Sequence, residues 1–271
     1  MPPLPGAAPS SGDETVATAS ARRDRLLIIV PLAILTVLAW VYLVRLDRSM
    51  AESMSHARMM EEMGMPMTEP WTAGDLVVNF VMWLVMMVGM MAPSAAPVLL
   101  LFAAARRARG GGAGPTVVFC LGYLTVWAVF SAAAAVLQGV LHRMALLSMS
   151  MATSSHLVGG SILIVAGGYQ LTPLKNRCLA HCRSPLGFLM SYWRDGQAGA
   201  FTMGVGHGMY CLGCCWALML VLFAVGIMNL FWVAILAMLV LVEKVGPAGA
   251  WVSRGAGAAI LASGLLMALR G

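Results

Sequence analysis

Apolar residues run along this chain in stretches too long and too unbroken for surface helices or strands. Seven such runs, roughly 26–44, 75–101, 116–141, 156–174, 199–223, 226–243 and 249–269, are separated by short polar joints. About 20 apolar residues, rising about 1.5 Å each, cross a hydrocarbon core about 30 Å thick. Lipid offers the backbone no hydrogen-bond partner, so each run is predicted to be a helix. The pattern therefore predicts an all-α polytopic membrane helix bundle of about seven transmembrane helices. Residues 1–25, rich in Pro, Ser and Ala at their start, read as a disordered cytoplasmic tail, and 26–44 as a first transmembrane anchor. Residues 45–73 read as an outer loop. Residues 74–271 read as a six-helix membrane domain with an inner joint at 175–197.

Composition agrees with lipid as the solvent. Hydrophobic residues make up 60% of the chain and charged residues only 10%, against about a quarter charged in soluble domains. The placement of Lys and Arg sets the orientation. With the N-terminus inside and the C-terminus outside, twelve lie in inner segments and five in outer ones. The net charge of +6 is thus a matter of topology and calls for no nucleic-acid partner.

Candidate chemistry is densest in the fifth run, GVGHGMYCLGCCWALM. At about 100° per residue, His207, Cys211, Cys214 and Cys215 fall on one helical face. Imidazole and thiolate are ligands that select soft ions such as Cu(I) and Zn(II). Small thiols beside Gly204, Gly206, Gly208 and Gly213 also suit close helix packing. In the second run Asp75, Asn79, Met82, Met86 and Met90 share an arc, with Met87 and Met91 on the neighbouring strip. Thioethers favour Cu(I) over Zn(II), although methionine is equally a flexible core filler. Pro93 and Pro97 are expected to interrupt that helix.

The outer segment adds Met54, His56, Met59, Met60, Met63, Met65 and Met67, a capture set of one imidazole and thioethers that cannot form disulfides. The alternative there is a linker with incidental methionine. In the inner joint Cys178, His181 and Cys182 stand at i, i+3 and i+4, on one helical face. They suit metal transit, or are surface thiols beside a basic patch. Glu243 and Lys244 end the sixth run and read as an interfacial ion pair. No nucleotide-binding loop or hydrolase motif is present, so neither a nucleotide nor nucleotide-driven pumping is expected.

Three stretches, WLVMMVGMMAPSAAPVLLLFAAARR, AGGYQLTPLKNRCLAHCRSPLGFL and GHGMYCLGCCWALMLVLFAVGIMN with its following LVEK, resemble a bacterial family of uncharacterised, predicted metal-binding integral membrane proteins. The resemblance covers about 75–267. It implies a multi-pass inner-membrane protein whose ligands map onto Cys178, His181, Cys182, His207, Cys211, Cys214 and Cys215. The reading that follows is a copper-binding membrane protein that captures, holds or transfers Cu(I), with zinc or another soft metal as the alternative ion. Its partners would be the bilayer and a membrane metalloenzyme or periplasmic copper protein. The competing reading is a membrane oxidoreductase, or a subunit of one, using the same Cys/His site. Reporter tags in 103–114 and 175–197 are expected to signal from the cytoplasmic side and a tag in 45–73 from the outside; a cytoplasmic signal from 45–73 overturns the orientation.

Overall fold

The computed structural model describes residues 11–62, 72–144, 153 and 155–270, and these form nine helices. They are α1 (Ser11–Glu62), α2 (Ala73–Ala108), α3 (Gly114–Arg143), α4 (His156–Gln170), α5 (Pro173–Arg183), α6 (Pro185–Tyr192), α7 (Gly196–Val225), α8 (Leu230–Val245) and α9 (Gly249–Leu269). Apart from Thr153, which bonds back to Phe223 through its backbone N–H at 3.0 Å, the described chain is helix and short turn.

Helix boundaries follow local chemistry. Thr72 and Asp75 form a capping box at the start of α2: the Thr72 N–H donates to Asp75 at 2.8 Å, and the Asp75 N–H donates to the Thr72 hydroxyl at 3.3 Å. Asp75 is thereby occupied in capping. Thr172 caps α5 with Pro173 behind it, and Asn229 caps α8. Gly226, with φ +104°, ends α7 in a conformation that side chains resist.

Five helical stretches are long and apolar enough to cross a membrane: 25–53, 73–108, 114–143, 196–225 and 249–269. The pair α4 and α5, bent by 62°, is apolar enough to make a sixth if taken as one broken span. Two of the seven expected runs are corrected in length. The fourth run restarts at Thr172–Pro173, leaving α4 only 15 residues, and α8 has 16, or about 24 Å. The boundary at 45 is also corrected, because α1 continues to Glu62. Residues 45–62 contain no Gly or Pro and abound in Met, Glu, Ala and Arg, all strong helix formers. The N-terminal tail likewise becomes helical from Ser11. Pro93 and Pro97 lie within an unbroken α2.

The bundle is organised around α7, which packs on α3, α4, α5 and α8, while α2 joins α1, α3 and α8, and α9 lies against α4. Small residues permit these approaches. A Cβ on Gly204 would collide with the Phe119 carbonyl, and one on Gly122 with the Phe201 carbonyl, so α3 and α7 touch backbone to backbone. Gly160 and Gly167 of α4 interlock in the same way with Gly257 and Gly264 of α9. Large apolar side chains such as Leu38, Val129, Phe231 and Trp251 point outward, as they would toward lipid.

Two features set the level of the interior site. The ends of α4 and α8 stop part-way along α7: Tyr169 donates to the Gly213 carbonyl, and Lys244 reaches Cys211. That level lies about 22 Å from the α7 N-terminus. At that level α5 packs across α7, with Cys178 against Gly213 and His181 on Tyr210, and α6 contacts α2, forming a floor. The turns beneath are tied together, with Asp195 3.5 Å from Arg106 and 3.8 Å from Arg109, whose guanidinium sits 4.1 Å over Trp193.

Replacing Gly204 by Ala is expected to lower thermal stability in detergent by about 1–3 kcal/mol, the cost of overpacking. Gly168→Ala, where a Cβ meets nothing within 4 Å, should be neutral or slightly stabilising. Equal melting temperatures for the two variants would exclude the glycine contact as a stabilising element.

Candidate metal site

The fifth-run residues are all buried, with His207, Cys211, Cys214 and Cys215 each at 3% exposure or less. His207 stands one turn before Cys211 in a cage of Phe119, Tyr123 and Phe188, whose ring centroids lie 6.3, 5.9 and 5.3 Å away. Its Nδ1 has no hydrogen-bond partner among the described residues, so a buried imidazole nitrogen is left open to a ligand. Cys214 and Cys215 donate their thiols to the Cys211 carbonyl at 3.1 and 3.0 Å.

Cys211 is the centre of the cluster. Its Sγ lies 3.1 Å from Tyr123 Oη on α3 and accepts from Lys244 Nζ on α8 at 2.9 Å. The same ammonium lies 3.3 Å from Ser94 Oγ and 3.7 Å from Met91 Sδ, both on α2. Side chains of α3 and α8 therefore meet one sulfur of α7, and α2 joins them through the same ammonium. From the floor, Cys182 packs against the buried core that contains Cys211, Cys214 and Cys215. Cys178 lies against Gly213, where a Cβ would come within 2.9 Å of its sulfur. All six cysteines are free thiols. Among the described residues no group of three or more His, Cys, Asp or Glu side chains is arranged as a ready-made chelate.

His181 departs from its neighbours. Its ring stacks flat on Tyr210 at 4.1 Å, and its Nδ1 is 2.9 Å from the Arg177 carbonyl, while Cys178 and Cys182 pack against the core. Met82, Met86 and Met90 are buried, but Met82 and Met86 line a small cavity with Leu43, Ile227, Met228 and Val233. The thioether that reaches the Cys211 cluster is Met91, one residue and about 100° from Met90. Asn79 accepts from Gln138, which also accepts from Trp83 Nε1 at 2.7 Å, so it belongs to a buried network rather than an ion path. Met54, His56, Met59 and Met60 sit on the last turns of α1, with Met59 exposed; Met63, Met65 and Met67 lie outside the described residues.

The expected Glu243–Lys244 ion pair is corrected. Glu243 pairs instead with Lys175 of α5 at 2.7 Å, with both side chains at 2% exposure or less, and also accepts from Gln170 at 2.6 Å. Adjacent residues of a helix diverge by about 100°, so Lys244 points away toward Cys211. Lys244 carried a signal in the sequence, since a charge within an apolar run marks a functional candidate. Tyr123 and Lys175 carried none that pointed to their partners.

The profile of the PpoB2 family, described as a copper chaperone, matches residues 80–267. This chain belongs to the PpoB2 copper-chaperone family. No curated protein and no solved structure matches it. The part of this chain that the family covers holds every His and Cys of the cluster together with Tyr123, Lys175 and Lys244, and leaves out α1.

Breaking the buried pair leaves an uncompensated charge. Lys175→Met is expected to cost about 3–5 kcal/mol in unfolding free energy, and Lys175→Met combined with Glu243→Leu to recover most of it. A double variant no more stable than the single one would show that the pair is not an isolated electrostatic unit.

Proposed function

We propose that this copper chaperone is an integral protein of the bacterial inner membrane that holds Cu(I) between cysteine sulfurs at the junction of α5 and α7. The observation that carries the reading is the packing of the α5 cysteines on α7, with Cys178 against Gly213 and Cys182 against the buried core that contains Cys211. Two thiolates suffice for Cu(I), whereas a structural zinc site takes four donors in a tetrahedron. The orphaned His207 nitrogen and the Met91 thioether stand near as additional soft or borderline donors.

The orientation with the N-terminus inside is supported by the gathering of Arg106, Arg109 and Arg183 with α5 and α6 at one end of the bundle. In that arrangement α4 and α8 are short crossings completed by their flanking turns, which gives seven passages. Methionines at the end of α1 and beyond, Met54 to Met67, collect the ion at the outer face. Met82, Met86 and Met90 offer thioethers along α2, and Met91 ends that series beside Cys211. Cys178 and His181, on the floor, are the stations from which the ion passes to a partner metalloprotein.

Protein purified from copper-supplemented cells is expected to carry copper by elemental analysis. The Cys182→Ser, Cys211→Ser, Cys214→Ser variant should fall to background while still inserting, because Ser is tolerated in membrane helices. Undiminished copper in that variant would return the cysteines to a packing role.

A further inference from the structure

We propose that Lys244 is the built-in counter-charge of the thiol site and that it makes the site prefer a monovalent ion. The proposal rests on the copper-site reading above and adds the reason for its selectivity.

Lys244 is 6% exposed, and its Nζ contacts Cys211 Sγ, Ser94 Oγ and Met91 Sδ at 2.9, 3.3 and 3.7 Å. None of these is a carboxylate. Among the described residues no Asp or Glu lies within ion-pair distance of it. The nearest acidic side chain in sequence, Glu243, is already engaged by Lys175 at 2.7 Å and by Gln170 at 2.6 Å. That pair is neutral as a unit, so Lys244 is left as the positive charge facing the cysteines. A buried charge needs an opposite charge or it destabilises the interior. Sulfur is the available source.

Charge balance then discriminates between ions. Cu(I) bound by two thiolates is a complex of charge −1, and the ammonium beside Cys211 brings the pocket to zero. A divalent ion with the same two thiolates is neutral, and Lys244 then leaves a net +1 in a low-dielectric interior. With three thiolates the divalent complex reaches −1, but Cys214 and Cys215 both turn their thiols to the Cys211 carbonyl, so a third sulfur requires rearrangement. Binding releases the ligand thiols' protons to solvent and transfers no electron; Lys244 itself acts by position and charge.

The test measures Cu(I) and Zn(II) binding to full-length protein in detergent, each by competition with a chromophoric chelator at one fixed pH. Lys244→Met removes the charge and keeps the length. Ser94→Asp leaves the lysine in place and gives it a private carboxylate. Both are expected to reduce the Cu(I)-over-Zn(II) affinity ratio by roughly 100-fold or more, the scale of one lost charge contact at short range. Lys244→Arg should retain most of the ratio. A merely structural lysine would lower yield and stability but leave the ratio alone. An unchanged ratio in either well-folded variant, with Cu(I) still bound, overturns the role of Lys244 and spares the copper site. If Lys244→Met does not fold, Ser94→Asp decides. Wild-type protein that binds neither ion overturns both readings.

Discussion

The close approach of α3 and α7 is the contact on which the rest of the interior depends. In lipid there is little hydrophobic gain in bringing two helices together, so backbone proximity must come from small residues and the dispersion contacts they allow. Gly122, Gly204 and Gly208 supply it. Only with the two backbones in contact can Tyr123 bring its hydroxyl to Cys211 and Phe119 its ring to His207. The glycines of the fifth run are therefore part of the site without bearing any ligand. Packing of this motif therefore shapes the candidate site rather than competing with it.

Buried charge is the second constraint. Among the described residues the bundle admits two lysines and one glutamate to its interior and separates them by helix geometry. Glu243 and Lys244 are adjacent in sequence and face different neighbours, one toward α5 and the other toward α7 and α2. The first pairing anchors the floor beside the cysteines. The second places a cation against sulfur. Short α4 and α8 make both possible, because their ends bring polar residues to the middle of α7.

The sequence was legible wherever a property depends on one segment alone. Helical class, apolar spans and the shared face of His207, Cys211, Cys214 and Cys215 follow from composition and a period of 3.6, and the family match agrees with the soft-metal chemistry read from them. Hydropathy misjudged lengths, since it registers apolarity and not the break at Thr172–Pro173 or the 62° bend that follows. It also placed a loop at 45–62, where methionine and glutamate sustain a helix.

Periodicity names a face but not what the face meets. Met82, Met86 and Met90 share an arc, yet the neighbouring strip supplies the thioether beside Cys211, because the rotation of α2 is set by its packing on α1, α3 and α8. The sequence by itself determined that this chain is an all-helical, lipid-suited protein with soft ligands clustered on one helix. Only the tertiary structure decided that Tyr123, Lys244 and Met91, distant along the chain, come together around Cys211. Helices are local objects written by neighbours in sequence, whereas a site made by four of them depends on which surfaces come close enough to touch.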